Sequence, residues 1–135
     1  MSYRSILIVM ENEKELVCIL KRFDGSPVLF GRDLAEFLID MKIGDYYHLG
    51  EPYYYSSDMG CLASQIINKF WEQIGDMKIL PLGTVLGHED ATYILTNKDN
   101  LVSMEVRDGN RSDSIIYDGT PEDYIPWICH DYQGI

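Results

Sequence analysis

The chain has 135 residues, with 22 acidic and 11 basic side chains and a formal charge of −11. Such acidity argues against duplex nucleic acid, whose phosphates must be met by Lys and Arg, and a small anionic ligand would need a local cluster drawn from Arg4, Arg22, Arg32, Arg107 and Arg111. An apolar fraction of 46% and a charged fraction of 24% exclude disorder over most of the chain and predict one domain with its own core, spanning residues 1–135.

In chain order, Ser5–Met10 is an apolar run, Glu11-Asn12-Glu13-Lys14 carries turn chemistry, and Glu15–Arg22 is a second β-rich run. Together they predict a hairpin. Leu16, Cys18 and Leu20 alternate with Val17 and Ile19, so both faces of the second strand are apolar and the strand belongs inside a sheet. Gly25, Pro27 and Gly31 mark 23–31 as a loop. Leu34, Phe37, Leu38 and Met41 recur at helical spacing over Arg32–Met41.

Residues 44–59 hold Tyr46, Tyr47, His48, Tyr53, Tyr54 and Tyr55 with Gly50 and Pro52, which excludes a regular helix. This stretch is a functional loop, an ordinary loop over a core edge, or an oligomer contact. A second helix is predicted over Cys61–Ile74, with Leu62, Ile66, Ile67, Phe70 and Ile74 buried, Trp71 nearby and Gly75 as its stop. From Ile79 the pattern turns to strands at Gly83–Leu86, Ala91–Thr96, Leu101–Arg107 and Ser114–Tyr117, joined by turns at 97–100 and 108–110. Thr120-Pro121-Glu122-Asp123 is a helix start, and Pro126 breaks or kinks that helix. The order predicts an α+β domain. Its antiparallel sheet is built from an N-terminal hairpin and a C-terminal meander, with two central helices and a short C-terminal helix.

Cys18, Cys61 and Cys129 form no C-x-x-C pair and read as buried, reduced thiols of a cytosolic protein. The apolar run at Ile6–Met10 is too short for a signal peptide, and no membrane span is expected. His48, His88 and His130 lie in no catalytic motif, no metal site is assigned and no cofactor is expected. In Ser57-Asp58-Met59-Gly60-Cys61 the helix start either receives an anion or is capped by Ser57 or Asp58. Arg22-Phe23-Asp24-Gly25 offers a guanidinium for phosphate, a ring for a base and a carboxylate for a sugar hydroxyl. On residue chemistry alone it reads first as a strand end with an ordinary Asp-Gly turn, Phe23 in the core and Arg22 on the surface. Arg107 and Arg111 flank a second turn, Asp108-Gly109-Asn110.

Three strings share a pattern with one family: Arg22-Phe23-Asp24-Gly25-x-Pro27 with Gly31-x-x-Leu34-Ala35-x-Phe37-Leu38, then Met59-Gly60-Cys61-Leu62-Ala63-x-Gln65, then Asp118-Gly119-Thr120-Pro121-Glu122-Asp123-Tyr124. With Arg4-Ser5 ahead of the first strand, the chain resembles the first-described phage Thoeris anti-defence proteins over most of its length. The resemblance implies a non-enzymatic sponge in the cytoplasm of an infected bacterial host. It would sequester, without cleaving it, a cyclic ADP-ribose isomer made by TIR-domain enzymes, with cyclic oligonucleotides as further ligands. It also implies a homo-oligomer, a dimer or a higher form such as a hexamer, with pockets between subunits. The ligand-binding residues expected are Arg22, Phe23, Asp24, Gly25, Arg32, Tyr54, Gly60, Arg107, Asn110 and Arg111.

The chain departs from the family pattern at Ser26, where an aromatic is expected, at Leu29-Phe30-Gly31, where Gly-His-Gly is expected, and at Ser64. The competing readings are a small enzyme degrading a nucleotide signal through His88 or His130, and a protein-binding inhibitor with an acidic, tyrosine-rich surface.

Overall fold

A computed structural model describes residues 3–44 and 55–132. Its strands are β1 (Ser5–Glu11), β2 (Lys14–Lys21), β3 (Lys42–Ile43), β4 (Tyr55–Ser56), β5 (Met77–Leu80), β6 (Ala91–Lys98), β7 (Leu101–Arg107) and β8 (Ile115–Gly119). Its helices are α1 (Arg32–Leu38), α2 (Met59–Phe70) and α3 (Pro121–Pro126), with wide π-type turns at Pro27–Gly31 and Trp127–Asp131. The protein is an α+β domain built on one sheet, ordered β4-β3-β7-β6-β1-β2-β5, with β8 also paired to β7.

Two hairpins follow from their turns. Asn12 and Glu13 (φ 51° and 66°) and Asp99 and Asn100 (φ 55° and 66°) are left-handed pairs, the geometry that matches the twist of the strands they join. The expected all-antiparallel sheet needs correcting. β1 pairs with β6 in parallel, from Ser5↔Ala91 to Val9↔Leu95, and β3 pairs with β4 in parallel. The reason lies in β1, where Ile6, Leu7, Ile8 and Val9 are all buried and both strand edges need a partner. β2 takes one edge. The strand taking the other starts beside it, tied by Arg4 N–H to Asp90 Oδ2 (2.9 Å) and Asp90 N–H to the Arg4 carbonyl (2.8 Å).

Several boundaries also differ. Gly83–Leu86 is not a strand; β5 lies earlier, and Gly83 and Gly87 (φ 81° and 88°) turn the chain into a loop. α1 stops at Leu38, since Asp40 turns left-handed (φ 64°), though Met41 remains in the core. α2 stops at Phe70 because Trp71 is extended, so Ile74 is 91% exposed rather than buried. α3 begins as predicted, with Thr120 Oγ1 accepting from Asp123 N–H (3.1 Å), and ends at Pro126.

The helices cover one sheet face, where Leu7, Val9, Ile19, Tyr93, Leu95 and Met104 are buried. The other face holds a smaller cluster, Ile6, Ile8, Cys18 and Leu20, packed against Met10, Leu80, Leu86 and Ile94. Cys18 is a buried free thiol as expected, whereas Cys61 and Cys129 are exposed. No helix among the described residues is long and apolar enough to cross a membrane.

Candidate functional site

The turn Arg22–Gly25 leaves β2 where the strand passes from core to surface. Lys21 is buried, Phe23 half-buried, and Arg22 and Asp24 exposed. The backbone is held at each step. Arg22 N–H donates to the Asp76 carbonyl (2.7 Å) and Gly25 N–H to the Tyr3 carbonyl (2.9 Å). Asp24 sits in the left-handed region (φ 55°), a conformation asparagine and aspartate tolerate better than most residues. Gly25 is required by its surroundings, since a Cβ there would run into Ser5 Oγ and lie 3.0 Å from the Tyr3 carbonyl oxygen.

Two buried phenols pin the segment from below. Tyr93 Oη donates to the Gly25 carbonyl and Tyr124 Oη to the Pro27 carbonyl, each at 2.7 Å. Burial pushes both phenols well above their ordinary pKa, so both remain protonated donors.

Beside the turn lies a cavity of about 170 Å³ lined by Lys21, Asp24, Leu29, Phe30, Asp33 and Phe70, with Glu72. It adjoins a groove of about 440 Å³ that shares Asp33, Phe70 and Glu72 and adds Glu36, Phe37 and Lys69. The lysine of the smaller cavity is already paired with Asp76, at 2.7 Å. Carboxylates therefore dominate that cavity. It suits amine or hydroxyl donors against an aromatic wall, and it disfavours phosphate.

No family model, curated protein or solved structure matches this chain. Its chemistry must be read from its own side chains.

The arginines separate into two kinds. Arg111 and Glu15 form a mostly buried ion pair. Arg111 also donates to the Thr84 carbonyl (3.1 Å) and lies 3.7 Å from Cys18 Sγ, while Glu15 accepts from Gly83 N–H (2.8 Å). The hydrogen bond from Arg111 holds the Glu15 carboxyl below its ordinary pKa, and the same bond raises that of Arg111. Arg107 pairs with Glu105 (2.8 Å) and donates to the Asp113 carbonyl (3.2 Å). Asn110 closes its own loop, its N–H donating to Asp113 Oδ2 (2.8 Å) and its Oδ1 accepting from Ser112 N–H (2.7 Å). Arg32 pairs with Glu36 (3.2 Å) on the helix surface, and Arg4 Nη1 lies 3.2 Å from His88 Nδ1. Among the described residues, only Arg22 has a guanidinium with no hydrogen-bond or ion-pair partner.

Arg22, Phe23, Asp24 and Gly25 are thus brought together, with Arg32 on the neighbouring helix. Arg107, Asn110 and Arg111 are not. Arg111 binds Glu15 at the opposite end of β2, roughly 20 Å away along the strand. At the start of α2, Asp58 Oδ1 accepts from Cys61 N–H (2.8 Å), and Glu11 Oε1 lies 3.5 Å from Met59 N. The Gly60 site is therefore capped by carboxylates, which leaves an anion poorly served there. Tyr54, with residues 45–53 of the tyrosine-rich stretch, lies outside the described residues.

His88, Glu89 and Asp90 do not converge. His88 is exposed, Glu89 is buried and accepts from Leu86 N–H (3.0 Å), and Asp90 binds the Arg4 backbone. No group of three His, Cys, Asp or Glu among the described residues could hold a metal. Sequence reasoning missed Lys21, Asp76, Tyr93, Tyr124, Phe30 and Phe70. One signal was present: a lysine closing a strand apolar on both faces implies a buried acidic partner.

Proposed function

We propose that the protein is a non-enzymatic binder that sequesters a cyclic ADP-ribose isomer, a signal of bacterial TIR-domain enzymes, and so acts as a phage anti-defence sponge in the host cytoplasm. The observation that carries this reading is the state of Arg22. It is the one guanidinium without a partner among the described residues, and it belongs to the turn on which the family resemblance rests. Phosphate would lie outside the acidic cavity, against Arg22, where a planar guanidinium can grip two oxygens. A base or ribose would enter the cavity, offering its donors to Asp24, Asp33 or Glu72 against Phe30 and Phe70. Sequestration needs affinity alone and no group matched to a transition state. One subunit offers one uncommitted guanidinium to a dianion, so the reading includes a homo-oligomer in which a second copy completes the phosphate contacts.

Calorimetry with cyclic ADP-ribose isomers tests it, with gel filtration of the same sample. The expected result is submicromolar binding to an oligomer, with intact ligand recovered by chromatography after heating. No heat at high protein concentration overturns binding. Recovery of a cleaved product overturns sequestration in favour of an enzyme.

A further inference from the structure

The buried ion pair Lys21–Asp76 bears directly on the turn. The two side chains are 8% and 2% exposed. Lys21 Nζ donates to both Asp76 oxygens (2.7 and 2.8 Å) and to the Phe23 carbonyl (2.7 Å), which engages all three ammonium hydrogens. It also lies 5.8 Å from the centre of the Phe30 ring. Asp76 Oδ1 accepts a second bond, from Phe23 N–H (3.3 Å), and the Asp76 carbonyl accepts from Arg22 N–H (2.7 Å). Phe23 is thereby held at its amide by the anion and at its carbonyl by the cation. The left-handed residue Asp24 and the exposed Arg22 lie on either side of it.

Stability alone is a weak reason for such a pair. Removing two charges from water costs much of what their attraction returns, and apolar residues of similar volume often serve as well. An apolar pair could not bond the backbone of Phe23. We propose that Lys21 and Asp76 are positioning residues, which set the backbone of the Arg22–Gly25 turn and so aim Arg22 and Asp24 at the ligand. The link to a ligand rests on the function proposed above; the hold on the turn does not.

The test uses the full chain with Lys21→Met and Asp76→Leu combined. Asp76→Leu alone leaves an unpaired buried ammonium and invites unfolding, whereas the double variant replaces the pair with packing. Circular dichroism and thermal melting establish that it folds. Amide exchange is then followed at Arg22 and Phe23, with Tyr93 in β6 as the internal reference. The expected result is exchange at least about tenfold faster at Phe23, whose side-chain acceptor is gone, with a smaller rise at Arg22, whose acceptor is the Asp76 main-chain carbonyl, and Tyr93 unchanged. Binding of cyclic ADP-ribose isomers is expected to weaken at least about tenfold, with little further loss on adding Arg22→Ala. Unchanged exchange at Phe23 in a folded double variant overturns the proposal whatever the ligand. Faster exchange with undiminished binding overturns the positioning role. If the natural chain binds none of these isomers, the proposed function fails, and the exchange result still decides whether the pair holds the turn.

Discussion

The two arginine-bearing turns look alike in sequence and differ in the folded chain. Arg22-Phe23-Asp24-Gly25 and Arg107-Asp108-Gly109-Asn110-Arg111 each join an Asp-Gly step to arginine. At 107–111 both guanidiniums are built into the fold, on Glu105 and Glu15, and the loop between them is closed by Asp113. At 22–25 the backbone is tied down by Asp76, Tyr3 and Tyr93, while the two charged side chains face water. A turn suited to capture has a fixed backbone and uncommitted side chains, because ordering has then been completed before the ligand arrives. A turn whose side chains are themselves the ties has little left to offer.

Substitutions can break this contrast. The largest effect is expected from Arg111→Ala. It leaves Glu15 with only the Gly83 N–H and releases the Thr84 carbonyl, so stability measured by urea unfolding should fall by about 2 to 3 kcal/mol, at or below the low end for a fully buried pair. Next comes Gly25→Ala, whose methyl collides with Ser5; overpacking of this kind should cost about 2 kcal/mol in the same assay. A subtler effect concerns acid. The Glu15 carboxyl titrates below its ordinary value of 4.5 when folded. Its contribution is therefore present above that value and is lost as pH falls through the lower, folded one. Between about pH 6 and about pH 3, the natural chain should lose more stability than Glu15→Gln. The smallest effect on stability belongs to Arg22→Ala, within about 0.5 kcal/mol. In calorimetry, however, the same variant should weaken ligand binding at least about tenfold, the size of one lost charge-assisted hydrogen bond. A large stability loss in Arg22→Ala, or none in Arg111→Ala, would erase the distinction between the turns.

Local chemistry made much of the fold legible. Asn12-Glu13 and Asp99-Asn100 turn where polar pairs separate β-rich runs, and Thr120-Pro121 opens a capped helix. The α+β class followed from the order of such segments. What stayed hidden depends on partners distant in sequence. Nothing near Arg111 points to Glu15, and nothing near Lys21 points to Asp76 in the segment after α2. The parallel seam of β1 and β6 is set by which strand edge remains open after the hairpin forms, a property of the assembled sheet. Trp71 extends and ends α2 although its neighbours keep helical spacing, so Ile74 left the predicted core. For the candidate site, sequence supplied the turn and the structure supplied its supports: two tyrosines, one ion pair and a cavity between α1 and the end of α2.

The seam between β1 and β6 has a kinetic consequence. Among the described residues, the strand pairing that joins the hairpin side of the sheet to the meander side is that of these two strands, across the 86 positions that separate Arg4 from Asp90. Closing so long a loop precedes the contacts that reward it, which places folding towards the slow, millisecond-to-second end for small domains. During synthesis, β1 would keep one edge of unpaired N–H and C=O groups bare, flanked by apolar side chains, until β6 emerged from the ribosome. Over that interval the nascent chain is open to strand pairing with its neighbours, and chaperone holding at that stage should raise the yield of folded protein.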